Sequence, residues 1–365
     1  MNMRIIVPLL FLIFTTDFVM AQSESPFEIY GNVRFAHIGS DTNADGIGGD
    51  NNAMRLRPGV RYNYAEEHSF SMRIAYLLSV ELEPLNPTLV ADGSGRLAFG
   101  SITFDEFFYK YQNERTEIRI GRFQKSLNTL TNAKRSHTRY QSNSNNVHWT
   151  DGIYYKRNLD NDWYGEGIFE YQPRNHPSFQ YDQGDLDSPG SDGLDFTEND
   201  HNFTFYVGAE SREVKNNVIQ KGFGFMYIPG TYIKGNELLD YLAFTSRITL
   251  DFPQGEALRG GSIKVAGEFG QSLNSAFEDG TSMVASIGIN NFAEKHEIMI
   301  EFAKTDSQWF LPRNIYRANA DEMEIRYRFF FSDKWAFDAR YRIRDFRTDG
   351  VVNSYSTFLR ATYSF

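Results

Sequence analysis

The chain has 365 residues, a formal net charge of −10 at pH 7 and no cysteine. The lack of cysteine excludes disulfides, thiolate metal sites and thiol nucleophiles, so strand pairing and packing must supply the stability. The acidic balance argues against a nucleic-acid partner, which would need a basic surface. Aromatic residues make up 16% of the chain and charged residues 23%, a mixture typical of a barrel with a lipid-facing outside and a wet inside.

Residues 1–21 are predicted to be a cleaved signal peptide. The apolar run from Ile5 to Phe14 is too short to cross a hydrocarbon core of about 30 Å as a helix. Val19-Met20-Ala21 offers the small residues that a signal peptidase reads, so cleavage is expected before Gln22. An uncleaved N-terminal anchor is the alternative. Residues 22–365 are expected to form a single domain, because no Pro/Ser-rich linker or change in composition divides them.

Strict alternation of apolar and polar residues recurs along the chain and places the two kinds on opposite faces of a strand. Near the start, for example, Met54 and Leu56 alternate with Arg55 and Arg57. No apolar run beyond the signal peptide reaches about 18 residues, so any membrane span must be made of strands. The fold class is therefore all-β, a transmembrane antiparallel β-barrel of about sixteen strands. The predicted strands span 27–37, 52–64, 69–78, 102–112, 115–121, 147–156, 163–171, 202–210, 219–228, 239–250, 260–270, 281–291, 296–305, 319–330, 334–344 and 353–365.

The connections between these strands fall into two classes that alternate. Short turns such as 65–68 and 292–295 are followed by longer polar segments such as 79–101, 122–146 and 172–201. Short periplasmic turns and long extracellular loops are typical of outer-membrane barrels. With both termini on the periplasmic side, the strand count is even. A soluble β-sandwich or β-solenoid is the alternative.

Arginines that alternate with apolar residues must face the interior, because each would cost about 2–4 kcal/mol at the bilayer midplane. They come from the last three and the first three predicted strands, which become contiguous when the barrel closes. The sequence therefore predicts one basic wall within an acidic protein. The predicted pore-lining residues are Arg34, Arg55, Arg57, Arg61, Arg73, Arg326, Arg328, Arg340, Arg342, Arg344 and Arg360.

One early loop is a candidate calcium site. Asp41, Asn43 and Asp45, followed by Gly46, have the alternate spacing of a calcium-binding loop. The twelfth position is Asn52 instead of a bidentate glutamate, and no helices flank the loop. A turn-rich surface loop is therefore the alternative, and no other cofactor is predicted.

Beyond residue 21 the chain resembles the bacterial general-porin family of outer-membrane proteins. The resemblance includes the opening strand Phe27-Glu28-Ile29-Tyr30-Gly31-Asn32-Val33-Arg34 and the closing Tyr363-Ser364-Phe365. It implies a sixteen-stranded homotrimer in the outer membrane of a Gram-negative bacterium, surrounded by lipid and lipopolysaccharide. It also implies passive diffusion of small hydrophilic solutes, and recognition of the C-terminal aromatic residue by the barrel-assembly machinery.

In that family the third extracellular loop folds into the barrel and commonly opposes acids to the arginines of the wall. The matching segment here, 122–146, departs from this pattern because it is basic and contains no acid. It favours an anion-preferring constriction, whereas a solvated lid outside the pore is the alternative. The expected constriction residues are Lys125, Lys134, Arg135 and Arg139. Acids on other strands could still make the pore mixed in charge, namely Glu166, Glu170, Glu268, Glu297 and Glu301.

The leading functional hypothesis is a diffusion channel that filters solutes by size and charge. Two alternatives stay open: a substrate-selective porin for anionic nutrients, and a plugged barrel that serves as an adhesin or surface-structural protein. An enzyme is not expected, because the seven histidines are scattered and neither Gly-x-Ser-x-Gly nor His-Glu-x-x-His occurs.

Overall fold

The computed structural model describes residues 25–42, 49–79, 88–89, 101–124, 150–160, 162–171, 203–212, 215–234, 237–274, 280–309, 319–347 and 353–365. Almost all of these residues lie in strands, because alternating side chains suit a two-faced sheet. A single 3₁₀ turn, Gly255–Leu258, interrupts them. The strands are β1 Phe27–Thr42, β2 Gly49–Ala65, β3 His68–Ser79, β4 Thr88–Leu89, β5 Ser101–Gln112, β6 Thr116–Phe123, β7 Thr150–Asn158, β8 Trp163–Tyr171, β9 Phe203–Ser211, β10 Val218–Lys234, β11 Glu237–Pro253, β12 Ser262–Ser272, β13 Thr281–Phe292, β14 His296–Thr305, β15 Ala320–Phe330, β16 Trp335–Phe346 and β17 Ser354–Ser364.

The strands close into one antiparallel barrel. Each long strand pairs with its neighbours in the chain, β3 pairs directly with β5, and β17 pairs with β1. The two-residue strand β4 lies outside this circle and makes a short parallel pairing with β5. The prediction of a closed barrel of sixteen strands is therefore confirmed. Closure leaves no unpaired edge, which is what a sheet in hydrocarbon requires.

Several strands are longer than predicted, among them β1, β10 and β11. The expected segments 219–228 and 239–250 become the 17-residue strands β10 and β11, which are joined across residues 235–236. The predicted segment 219–228 ends just before Pro229, a residue that cannot donate to a ladder. The structure accommodates this proline in a register shift between Ile228 and Tyr232, since a bulge tolerates a missing donor.

The two faces of the barrel differ sharply. Outward side chains are apolar and exposed, such as Ile29 at 61% and Leu359 at 53%, whereas inward Arg55 and Arg360 are 1% and 6% exposed. An apolar outer surface around a polar interior is the arrangement of a barrel in a bilayer. Among the described residues, no helix has the length and apolar character to cross a membrane.

Aromatic rings surround the end of the barrel that carries the short turns. Ring contacts link Phe27 to Tyr62, and on the other side of the closure they link Trp335 to Tyr363 and Tyr363 to Phe365. The first and last strands meet here, where the Gly31 N–H donates to the Phe365 carbonyl at 2.9 Å. A Cβ at Gly31 would clash with the backbone carbonyl of Arg57 and would lie 2.8 Å from Cζ of Phe365, so this position requires glycine.

Candidate functional site

The eleven predicted arginines all lie on the inner face of six contiguous strands, β15, β16, β17, β1, β2 and β3. In a closed barrel the inward side chains converge, which explains their burial. We call this set the arginine arc. Arg61, Arg340 and Arg344 are partly exposed. The buried members are Arg34, Arg55, Arg57, Arg73, Arg326, Arg328, Arg342 and Arg360.

Asp338 of β16 is the centre of the arc. Its Oδ1 accepts from Arg326 Nη2 at 2.8 Å and from Arg328 Nε at 2.9 Å. Its Oδ2 accepts from Arg360 Nη2 at 2.7 Å. One carboxylate thus neutralises part of three buried guanidinium charges from the two strands that flank β16, an arrangement in which charge-assisted hydrogen bonds are strong.

Two glutamates of β15 continue this ladder towards the loop end of the barrel. Arg342 Nη2 lies 2.6 Å from Glu324 Oε2, and Arg344 Nε lies 2.9 Å from Glu322 Oε1. Both glutamate side chains are fully buried. The pairs follow from the register, in which Glu324 faces Arg342 and Glu322 faces Arg344.

A β-bulge in β5 supplies two more acids to the arc. Arg73 pairs with Glu106 while the next residue, Ile74, pairs with Phe104, so Asp105 is the extra residue. The bulge turns both carboxylates towards Arg73, whose Nη2 lies 2.9 Å from Asp105 Oδ2 and 2.6 Å from Glu106 Oε1. Arg57 Nη2 also lies 2.5 Å from Asp105 Oδ2. Bulges commonly re-aim side chains next to functional sites.

The arc is therefore a network of both charges and not a purely basic wall. Strict alternation missed the paired acids at Asp105 and Glu106, because it allows only one of two adjacent residues to face inwards. The sequence does show a break in alternation at this point, because the adjacent residues Phe107 and Phe108 are both apolar. Phe107 is exposed on the outside and Phe108 is buried on the inside, so the alternation restarts after the bulge.

The other acids expected on the inner wall are also buried or paired. Glu166, Glu170, Glu268 and Glu301 are buried. Glu297 lies 3.2 Å from Arg328 through Oε2 and Nη1. Acids thus lie on the inner wall outside the arginine arc as well as within it.

A cluster of buried aromatic and aliphatic side chains lies on the inner wall from β5 to β11. The Tyr154 hydroxyl in this cluster donates to Glu166 Oε2 at 3.1 Å. Alternation along the single strands does not indicate this surface, which we call the aromatic patch. It consists of Phe108, Phe123, Tyr154, Ile168, Tyr206, Met226, Ile228, Tyr241 and Ala243, with Trp309 packed against it.

The remaining predicted sites lie outside the described residues. These are the basic loop residues Lys125, Lys134, Arg135 and Arg139, the calcium-loop residues Asn43 and Asp45, and the signal peptide. Asp41 belongs to β1, but its side chain is not described. Within the described ranges, no group of three or more acidic or histidine side chains is placed to hold a metal ion.

Comparisons with known proteins identify the fold. No family model and no curated protein matches the chain. Among solved structures, it is similar to OprB of Pseudomonas putida, with a TM-score of 0.61 and 10% identity over 93% of this chain and 94% of that one.

Two further barrels were solved with small molecules. OccK2 of Pseudomonas aeruginosa in complex with glucuronate has a TM-score of 0.52 and 12% identity over 93% of this chain and 96% of that one. OpdK of Pseudomonas aeruginosa with vanillate has a TM-score of 0.55 and 10% identity over 93% and 98% of the two chains. The closed barrel with its apolar outside and charged inside thus has the fold of the outer-membrane porins.

Proposed function

We propose that the chain is an outer-membrane porin that lets small hydrophilic solutes diffuse through a water-filled channel. One observation carries this proposal: the closed barrel has exposed apolar side chains on its outside and ion-paired arginines on its inside, the opposite of a soluble protein. Burial of so many charged side chains carries a large desolvation cost, which is reduced when the interior holds water and admits charged solutes. A channel also accounts for the fold without any catalytic arrangement.

Selectivity for anions is the finer part of the proposal. The arginine arc has eleven guanidinium groups from six strands, and its acids are shared among them, as Asp338 is by three. A surplus of fixed positive charge attracts anions. The glucuronate and vanillate complexes of similar barrels favour organic anions as candidate solutes, which is the substrate-selective alternative. The basic loop 122–146 would add to this preference.

Planar-bilayer recording tests both the channel function and the preference for anions. A porin passes steady current, whereas a plugged adhesin barrel passes none. In asymmetric KCl, the reversal potential should take the sign of chloride preference. A cation-selective pore would disprove the role of the arginine arc while leaving the channel intact.

The partners implied by the general-porin resemblance belong to the same proposal: a homotrimer, outer-leaflet lipopolysaccharide, and the barrel-assembly machinery acting on Phe365. The mutual hydrogen bonds of Phe365 and Gly31 support a role of the last residue in closing the barrel. Gel mobility in SDS with and without heating should report the folded barrel and any trimer. Removal of Phe365 should lower the yield of the heat-shifted form.

A further inference from the structure

A groove on the outer face of the barrel crosses the loop ends of β13, β14, β15 and β16. Its volume is about 530 Å³. Met283 and Phe302 border it and are each 52% exposed, as expected for side chains that face lipid. The outer surface is low at Ala285, which pairs with Gly267 of β12 on one side and with Phe302 on the other. Two adjacent small residues thus leave a depression between larger apolar side chains.

Two rows of outward residues form this surface, which we call the outer groove. Each row crosses the four strands in register. The row nearer the short turns is apolar and consists of Ala285, Phe302, Met323 and Ile343. The row nearer the loops is mostly charged and consists of Met283, Lys304, Asp321 and Asp345. The outer groove therefore has an apolar floor and a charged rim.

Arg347, which follows β16, neutralises the acids next to Lys304. Its Nη1 donates to Asp306 Oδ1 at 2.8 Å, and its Nη2 donates to Asp321 Oδ1 at 2.5 Å. Its Nε donates to Asp321 Oδ2 at 3.1 Å. Lys304 faces Asp321 in the register, yet it has no ion-pair partner among the described residues. Because Arg347 already holds Asp321, the ammonium of Lys304 remains available to a ligand.

Asp345 is the remaining charge on the rim. It is exposed and lies on the far side of Asp321 from Lys304, so the two backbones are separated by two strand spacings, roughly 10 Å. That separation is close to the Debye length at physiological ionic strength. Glu322 also borders the groove, but its carboxylate pairs with Arg344 on the inner face. An anion at Lys304 therefore meets one nearby positive charge and only weak repulsion.

The position of the outer groove restricts what can fill it. Its loop end lies at the outer leaflet, since long loops are extracellular in such barrels. An acyl chain or a neighbouring protein fills an apolar groove at that depth, because hydration of its apolar surface is unfavourable. A lysine at the membrane surface keeps its methylenes along apolar surface and its ammonium among the headgroups, where it attracts anionic lipid. The groove and Lys304 thus match an amphiphile that carries both an acyl chain and a phosphate.

The size of the groove favours a lipid over a second copy of the chain. A volume of about 530 Å³ lies in the range of small-molecule sites, whereas a stable protein interface covers about 800 Å² on each partner. A second copy would also have to cover Lys304, and a buried ammonium without a facing acid is costly. The two acids nearest to Lys304 are already engaged by Arg347.

We propose that the outer groove binds one molecule of lipid A, the membrane anchor of lipopolysaccharide, with an acyl chain along Ala285 and Phe302 and a phosphate on Lys304. The inference rests on the proposed outer-membrane function. It assigns to one place the lipopolysaccharide contact that the general-porin resemblance implies only for the protein as a whole. The other acyl chains lie against the apolar outer face beside the groove.

Native mass spectrometry of the folded full chain in non-ionic detergent, titrated with diphosphoryl lipid A, tests the proposal. The parent should retain one lipid A molecule per chain. Lys304→Gln should weaken binding about fivefold, the order expected for one basic contact with an anionic lipid. Lys221→Gln is the matched control and should bind like the parent, because Lys221 is an outward lysine at the short-turn end, beside Trp163. A heat-dependent shift in SDS gels shows that each variant is folded.

The apolar floor predicts a larger effect. Ala285→Phe places a ring in the depression and should weaken binding at least about tenfold, since exclusion of two methylene groups already has an effect of that order. Ala339→Phe adds the same ring to the outer face of β16 outside the groove, and it should not change binding. If Ala285→Phe instead dissociated an oligomer of the parent that held no lipid A, the groove would be a subunit interface and the inference would be wrong.

Lipid A without phosphates separates a direct contact from a structural effect. The parent should bind it at least about fivefold more weakly than diphosphoryl lipid A, and Lys304→Gln should cause no further loss, because the removed charge has no partner there. Equal weakening of both lipids by Lys304→Gln would disprove the phosphate contact. If every variant retained lipid A as the parent does, the site would lie elsewhere. A parent that passes no current in planar bilayers but retains lipid A through Lys304 would overturn the channel function and leave this inference intact.

Discussion

The arginine arc and the aromatic patch are both buried inside one barrel, yet different forces hold them. In the arc, carboxylates such as Asp338 and Asp105 are shared by two or more guanidinium groups, so removal of one carboxylate leaves several arginines uncompensated. In the patch, buried rings and aliphatic side chains pack against one another. The difference indicates that a substitution in the arc should propagate through a network, whereas one in the patch should have a local and moderate effect.

The largest expected effect is at Asp338. Asp338→Ala leaves Arg326, Arg328 and Arg360 buried without their shared carboxylate. Removal of one partner from a buried ion pair costs about 3–5 kcal/mol, and we expect a loss in the free energy of unfolding of that order. Urea-induced unfolding in lipid vesicles, followed by tryptophan fluorescence, provides the measurement.

Asp345→Ala is the matched control for that variant. Asp345 lies on the same strand but is exposed, so its removal should change the free energy of unfolding by less than about 0.5 kcal/mol. If Asp338→Ala and Asp345→Ala changed the free energy of unfolding by equally small amounts, water in the lumen would be solvating the arginines. The network interpretation would then be wrong.

A moderate effect is expected on selectivity at the bulge. Asp105→Asn or Glu106→Gln removes an inner negative charge with little change in shape, so the ratio of anion to cation permeability should rise roughly two- to threefold. Arg73→Gln, which removes the common partner of both acids, should lower the ratio. Reversal potentials in asymmetric salt measure it.

The control for the bulge is Glu256→Gln. This side chain lies in the exposed 3₁₀ turn at the short-turn end of the barrel, where salt screens charges. The permeability ratio should not change. If Glu256→Gln changed the permeability ratio as much as Asp105→Asn does, the selectivity would depend on the overall charge of the protein and not on the inner wall of the barrel.

The sequence was sufficient to predict which side chains face lipid and which face the lumen. It was insufficient to predict which acid pairs with which arginine. Alternation separates Leu359 from Arg360, because lipid and lumen impose opposite requirements on neighbouring residues. The position of Asp338 between three arginines depends on the register of β15, β16 and β17, which one strand does not encode. The bulge at Asp105 breaks the two-residue period itself.

Trp309 was the hardest residue to predict from the sequence. Trp309 is buried beyond the end of β14, where its ring packs on Tyr241 of β11, and Arg347, which lies beyond β16, donates to Asp306 at the start of the same segment. None of these contacts is local, so no periodicity could indicate them. The general-porin resemblance predicted an inward-folded loop at segment 122–146. A family resemblance indicates where a loop lies in the chain but not which side chains it contacts.

The smallest predicted effects test the aromatic patch and can be compared at two tyrosines. Tyr154→Phe removes a hydroxyl that donates to Glu166, so the free energy of unfolding should fall by about 0.5–1.5 kcal/mol. The buried hydroxyl of Tyr206 has no hydrogen-bond partner among the described residues. Tyr206→Phe should therefore be neutral or slightly stabilising in the same urea titration, since it removes a polar atom that burial penalises. A larger loss at Tyr206 than at Tyr154 would show that this hydroxyl is satisfied by lumen water, and that the patch is wetter than its packing indicates.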